Sequence, residues 1–254
     1  MLEVQKDPAT DGETMPGKTN MPFVFINAAM SADGKIATIE RKQTRISGSF
    51  DFDRVDELRA ASDAVMVGIG TVLSDDPSLT VKSETRRTKR RAVGLDENPV
   101  RIVVDSMART PIDSDIFKKG TGKRIIAISE SAPQEKVKQL SGKADIITAG
   151  KENVDLAKLL AELKTRGINR LMVEGGATLN WGLVSNGLVD EIYTFIGNII
   201  LGGAAAPTLV DGEGSAGTAC RLGLISCEKL EDGVLIRWKV QGIQGIQGVQ
   251  GSPE

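Results

Sequence analysis

The chain contains no histidine. That absence excludes Ser-His and Cys-His catalytic pairs, histidine-ligated zinc or iron, and an imidazole switch near neutral pH. Acid–base work must fall to carboxylates, lysines, tyrosine, thiols, water or a cofactor. Aromatic residues make up only 4% of the 254 residues. That scarcity argues against a base-stacking nucleic-acid platform and leaves the core to aliphatic side chains. A formal net charge of −2 gives no global attraction to nucleic acid or an anionic membrane. Only two cysteines occur, Cys220 and Cys227, and their spacing fits neither a C-x-x-C redox motif nor half of a four-ligand metal site. They read as reduced thiols of a cytoplasmic protein, with proximity across a hairpin as the alternative. No apolar run reaches the roughly 18 residues of a membrane span, and no apolar segment of signal-peptide type opens the chain.

What is present is 40% hydrophobic residues and 28 glycines, enough for a sizeable core in one domain. Residues 1–20 are polar and rich in turn formers, and read as a flexible extension. Residues 241–254 open on QGIQGIQGVQG, a short period-three repeat without proline, and read as a flexible tail. Between them, 21–240 reads as a single domain.

Within it, aliphatic runs alternate with helical patterns. Strands are expected at 23–29, 64–68, 100–105, 124–129, 144–148 and 170–174, several apolar enough to be buried on both faces. Helices are expected at 51–61, 133–141, 154–166 and 177–187. In 154–166 the residues Val154, Leu156, Leu159, Leu160 and Leu163 form an apolar stripe, with Gly167 following as a stop. The last third changes character, with strands at 190–197, 222–230 and 233–240 and a turn near Asp232-Gly233. Parallel βα units followed by an antiparallel ending imply an α/β domain on a mixed sheet.

Ligands of such sheets bind beyond the carboxyl ends of the strands. Four segments lie there. Ser31-Ala32-Asp33-Gly34-Lys35 follows the first strand, and an ordinary Asp-Gly turn competes with any functional reading. Gly68-Ile69-Gly70 leads into a helical turn at Thr71, which would expose free N–H groups to an anion. Thr71 and Asp75 are four apart and share a face. Ser106 and Arg109 leave the third strand, and a hydroxyl beside a guanidinium suits a phosphate. Glu174-Gly175-Gly176 joins a buried strand to a helix, a pyrophosphate cradle without the G-x-G-x-x-G spacing. Two basic features have bland readings: Arg86 to Arg91 as a solvated mobile loop, and Arg59 as a surface arginine.

The motifs VGIGTVLSDDPSLT, PVRIVVDS and LMVEGGATLNWGLVSNGLVDEI, in that order, resemble the riboflavin-biosynthesis reductases. INAAMSADGKIAT and LGGAAAPTLVDGEG fit as well, so the resemblance spans about 21–240. The stand-alone archaeal form is the most similar. The resemblance implies a dihydrofolate-reductase-like fold, with a central, mostly parallel mixed sheet flanked by helices and antiparallel C-terminal strands. It implies a cytoplasmic homodimer that reduces 2,5-diamino-6-ribosylamino-4(3H)-pyrimidinone 5′-phosphate with NADPH, NADH being the alternative. The deaminase half of bifunctional relatives is not implied, because its H-x-E and P-C-x-x-C zinc pattern is missing.

Carried over by position, the resemblance gives Ala29, Met30, Thr71, Asp75, Ser106, Gly175, Gly176, Ala177, Thr178 and Leu179 to the cofactor. It gives Arg59, Leu79, Lys82, Glu174 and Gln43 to the substrate, with Glu174 and Asp75 as the catalytic candidates. Two rivals stand beside it. One is a dihydrofolate or pteridine reductase on the same fold. The other is a non-catalytic nucleotide- or RNA-binding module using the 86–91 cluster.

Overall fold

The computed structural model describes residues 18, 20–41, 44–214 and 217–245. The elements run β1 (Phe23–Met30), α1 (Ser49–Ala60), β2 (Ala64–Gly68), α2 (Ile69–Asp75), α3 (Glu84–Ala92), β3 (Val100–Val104), α4 (Asp115–Lys118) and β4 (Arg124–Ile128). They continue with α5 (Gln134–Ser141), β5 (Asp145–Thr148), α6 (Leu156–Thr165), β6 (Arg170–Val173), α7 (Ala177–Ser185), β7 (Glu191–Ile196), β8 (Thr218–Leu230) and β9 (Gly233–Gly245). One sheet holds all nine strands in the order β5-β4-β3-β2-β6-β1-β7-β9-β8. Pairing is parallel from β5 to β7. It turns antiparallel at β7–β9 and stays so at β9–β8. The mixed α/β sheet expected from the alternation of patterns is therefore present.

Successive side chains of a strand face opposite sides of the sheet, and here both sides are covered. Val24, Ile26, Ala64 and Met66 join Leu159, Leu160, Leu163 and Leu183 in one cluster, under α6 and α7. Phe23, Phe25, Val65 and Val67 join Val72, Leu79, Ile116 and Leu140 in the other. This two-sided burial is why β1 and β2 read as unbroken apolar runs. The stripe predicted for 154–166 meets the sheet through Leu159, Leu160 and Leu163, all fully buried. Asp155 starts that helix by accepting a hydrogen bond from the Lys158 amide at 3.0 Å.

Three expectations are corrected. The basic cluster 86–91 is not a solvated loop; it lies in α3, packed on α1. Arg86 Nη1 donates to Asp53 Oδ1 at 2.6 Å and to Asp56 Oδ2 at 3.1 Å. Arg90 is buried and donates to the carbonyls of Ala60, Ser62 and Asp96 at 2.7, 3.0 and 2.8 Å. Arg91 pairs with Glu84 and Glu97. Positive charge in the last turn of α3 and Glu84 in its first also suit the helix dipole.

The second correction concerns the expected tail. β9 runs five residues past position 240, because β8 begins at Thr218, earlier than expected, and offers partners as far as Thr218↔Gly245. A register shift at Arg221/Leu222, opposite Gly242 at φ +105°, absorbs the irregular spacing. Third, only the alternative reading of the cysteines falls: Cys220 and Cys227 are free thiols as expected, and since both lie on β8 they do not face each other across the hairpin.

Among the described residues, no helix is long and apolar enough to cross a membrane. Leu160 has no exposed surface. Leu160→Ala should therefore cost about 2–5 kcal/mol, read as a lower urea midpoint with an unchanged m-value.

Candidate functional site

β6 lies between β1 and β2, so the tips of these parallel strands converge at the reversal of the strand order. The pairing continues beyond the strands. The Glu174 amide donates to the Met66 carbonyl at 2.9 Å, and the Gly68 amide donates to the Gly175 carbonyl at 3.0 Å. Gly175 and Gly176 stand at φ +128° and +94°, where a side chain is strained. A Cβ on Gly176 would also lie 3.5 Å from both N and Cα of Gly68. That is ordinary van der Waals contact, so it is the backbone conformation rather than lack of space that calls for glycine, and α7 starts immediately after. Gly176 caps α7 without a side chain, which leaves the first-turn N–H groups free. Those groups and the positive end of the helix dipole make a seat for an anion. The Thr71 hydroxyl borders it, 3.8 Å from where a Gly175 Cβ would be. Two adjacent glycines, an uncapped helix start and a hydroxyl fit a dinucleotide pyrophosphate.

Beside this seat stands an ion pair that the separate motifs did not reveal. Arg59, from α1, donates Nε to Glu174 Oε1 at 2.6 Å and Nη2 to Glu174 Oε2 at 2.5 Å. Both side chains are largely buried. Burial opposes the Arg59 cation, but the charge and hydrogen bonds of Glu174, with Asp56 adding to them, raise it above its ordinary value. Arg59 Nη1 also reaches the Thr80 carbonyl at 3.3 Å. The arginine is thus no free surface group; it holds the carboxylate at the tip of β6. Each Glu174 oxygen keeps a lone pair for another donor.

Lys82 Nζ donates to Ser78 Oγ and Thr80 Oγ1, both at 2.8 Å. Burial, followed by the nearby charges of Arg59 and Lys119, lowers its proton affinity. Asp56 fixes this loop by accepting from the amides of Lys82 and Ser83. Asp56 lies one helical turn before Arg59, and nothing in the sequence marked it.

The other predicted positions divide. Thr71 and Asp75 share the half-buried face of α2, while Leu73 between them is exposed. Burial raises the Asp75 carboxyl above its ordinary range. Ala29 and Met30 end β1, partly buried. Ala177 and Leu179 are buried in the first turn of α7, with Thr178 exposed between them. Ser106 is tied down: its hydroxyl accepts from the Val154 amide at 3.0 Å, and its carbonyl from the Ser129 hydroxyl at 2.8 Å. It links the ends of β3, β4 and β5 rather than standing free. The Leu79 side chain is 2% exposed and belongs to the core, with its backbone at φ +52°, so only backbone is offered there. Gln43 lies outside the described residues. Arg109 is half exposed, 3.9 Å from the buried Asp105. Among the described residues, no group of three or more metal-ligating side chains gathers to hold a metal ion.

The fold defines an α/β protein on one mixed sheet, with a glycine turn, a helix start and an arginine–glutamate pair gathered at the reversal of its strand order. The model of the RibD C-terminal domain matches residues 22–236, and the chain belongs to that family. A protein of Archaeoglobus fulgidus named 2,5-diamino-6-ribosylamino-4(3H)-pyrimidinone 5′-phosphate reductase is 47% identical over 215 residues, covering 85% of this chain and 96% of that one. One of the same name from Methanothermobacter thermautotrophicus is 46% identical over 223 residues, covering 87% and 99%. Among solved structures, Acinetobacter baumannii RibD aligns with a TM-score of 0.72 at 26% identity, over 88% of this chain and 59% of that one.

Gly176→Ala tests the seat. The variant should lose about 1–2 kcal/mol of stability from backbone strain and bind the reduced nicotinamide dinucleotide, NADPH or NADH, at least about tenfold more weakly. Thermal melting and a fluorescence titration read the two effects separately.

Proposed function

We propose that this chain reduces the ribose of 2,5-diamino-6-ribosylamino-4(3H)-pyrimidinone 5′-phosphate to the ribitylamino product, with NADPH as reductant. The observation that carries this reading is the juxtaposition of the anion seat with the Arg59–Glu174 pair, 2.5–2.6 Å apart, at one strand tip. The names of relatives covering almost their whole length support it.

The residues divide the work. Gly175, Gly176 and the first turn of α7 would hold the pyrophosphate, with Thr71 and Asp75 beside it and Ala29–Met30 toward the nicotinamide. The bound cofactor supplies a hydride. Opening of the ribosylamine would break the C1′–O4′ bond, with the proton lost from the exocyclic nitrogen made good at O4′ through water, and leave an imine whose C1′ is the acceptor carbon. Hydride addition at C1′ and a proton at nitrogen complete the ribitylamine, and water is the proton source in this proposal. Glu174, its oxygens fixed by Arg59, would accept N–H bonds from the pyrimidine amino groups and orient C1′. Lys82 and its hydroxyl partners would meet the 5′-phosphate, where a locally cationic surface favours a dianion. Arg109 and Lys151 are the candidates for the 2′-phosphate that distinguishes NADPH from NADH. The active species in this proposal is a cytoplasmic homodimer.

The test is an assay with NADPH or NADH as reductant and the ribosylaminopyrimidine phosphate or dihydrofolate as substrate, following loss of reduced nicotinamide. Light scattering gives the mass of the active species. Oxidation with the pyrimidine phosphate and none with dihydrofolate is expected; the reverse would overturn the reading. Glu174→Gln and Asp75→Asn should each lower kcat/KM by about tenfold or more, or about 1.4 kcal/mol; Glu174→Gln, which takes the counter-charge from the largely buried Arg59, should also melt lower, and Asp75→Asn should melt as the wild type. Wild-type kinetics in both variants would remove these residues from their roles.

A further inference from the structure

The turn Ser31–Lys35 has no part in the chemistry described above, yet it carries a set of bonds to a distant loop. Asp33 Oδ1 accepts from Ser31 Oγ at 2.5 Å and from the Leu201 amide at 3.1 Å, and its Oδ2 accepts from the Gly202 amide at 2.7 Å. The Ser31 hydroxyl and these amides hold the Asp33 carboxyl down at about 2. Around this clamp, the Ala32 amide donates to the Ile199 carbonyl at 2.8 Å, and the Ile36 amide to the Pro207 carbonyl at 3.0 Å. Lys35 Nζ donates to the Ala206 carbonyl at 3.1 Å.

The same loop is fastened at its other end to α7. The Asp211 amide donates to the Ala177 carbonyl at 3.1 Å, and Asn180 Nδ2 to the Leu209 carbonyl at 2.8 Å. Gly212 lies so close to the Trp181 indole that a Cβ would overlap it, at 2.0 Å from Cδ1. Between the two ends, Thr208 Oγ1 donates to Asp211 Oδ1 at 2.6 Å and stiffens the span. Residues 199–212 therefore form a strap. One end is bound to the turn directly after Met30, and the other to the first turns of the helix that starts at Gly176.

We infer that Asp33 is a positioning residue: it latches this strap, and the strap adds to the pairing of β1 with β6 and β7 a second tie between the end of β1 and the start of α7. The inference rests on the reading of those two ends as the nicotinamide and pyrophosphate sides of one cofactor site. Asp33 itself touches neither substrate nor cofactor. Its carboxylate is placed to replace the missing pairing of a loop that turns through Gly202 and Gly203 at φ +68° and +84°. Freed from the latch, the strap would keep its α7 end and hold its β1 end only by the bonds of Ala32, Lys35 and Ile36, so the spacing of the two halves of the site would be less tightly fixed.

The test uses the full chain and the variants Asp33→Ala and Asp33→Asn. Hydrogen exchange is measured without cofactor, and NADPH affinity by fluorescence titration. In Asp33→Ala the amides of Leu201, Gly202 and, at the far end, Asp211 should exchange about tenfold faster. The NADPH dissociation constant should rise about tenfold, with kcat at saturating NADPH changed less than about twofold. Asp33→Asn keeps one acceptor oxygen and should fall between wild type and Asp33→Ala. Wild-type exchange at Asp211 with wild-type NADPH affinity would overturn the inference. A fall in kcat with unchanged affinity would overturn it too, as would a melting point lowered enough to explain the affinity loss. If the wild-type protein itself failed to bind NADPH, the cofactor assignment and the positioning role would both fall. That failure is distinct, because it appears without any substitution.

Discussion

A strand inserted between two others must satisfy hydrogen bonds along both edges, and it fixes the spacing of whatever its neighbours carry. β6 does this for β1 and β2, which are otherwise separated in the sheet. Its short run, Arg170–Val173, is followed by Glu174 and Gly175, whose backbone still pairs with Met66 and Gly68. The strand therefore delivers its carboxylate and its glycine turn at a height set by β2. A side chain at Gly176 would be strained by the backbone at φ +94°, and its Cβ would lie in contact with Gly68. The start of α7, the Gly68–Gly70 segment and the carboxylate are one unit because of this single insertion.

Charge is handled by the same rule of fixed spacing. Removing a carboxylate from water is costly unless it is paired with good geometry, and Glu174 has a two-point partner in Arg59. The pair spans α1 and β6, so it also orients the helix over the site. Arg101 shows another solution. It has no exposed surface and donates to the carbonyls of Ile116, Lys119, Gly120 and Thr121. Burial, with Arg124 nearby, lowers its proton affinity to about 10. The strain of a buried cation is offset by saturating a loop that would otherwise bury unpaired carbonyls. One arginine serves a ligand-facing carboxylate and the other serves the scaffold beneath it.

Much of this was legible from residue order alone, because buried parallel strands leave unbroken aliphatic runs. β2 as AVMVG and β3 as VRIVV begin where the sequence predicts them. Glu174-Gly175-Gly176 and Gly68-Ile69-Gly70 were visible as turns at strand ends because glycine interrupts an aliphatic run there, and the structure brings the two turns side by side. The pairing of Arg59 with Glu174 was not, since the partners are 115 positions apart and helix α1 carries other charges. The helical state of 84–92 was hidden for a related reason. Its many arginines read as a solvated run until Asp53, Asp56 and the carbonyls of residues 60 and 62 are brought beside them. The extra length of β9 was obscured by its Gly-Gln repeat, whose order comes from the partner strand rather than from its own propensity. Long-range partnership is the information that local pattern omits.

The absence of histidine acquires a physical meaning in this setting. A protein that moves protons through an imidazole must tune that group's environment, and burial, charge and access then compete at one side chain. A reductase whose reducing equivalent arrives with a cofactor can instead devote its polar groups to position. The site side chains follow that pattern: Glu174 is held at two oxygens, Lys82 by two hydroxyls, and Thr71 by the helix that carries it. The rigid parts sit on strand tips and helix starts, where backbone pairing fixes them. The strap of 199–212 crosses them as loop, tied by hydrogen bonds rather than by a sheet. Its bonds at both ends, to the turn after β1 and to the first turns of α7, make it a tie between those parts that the sheet itself does not supply.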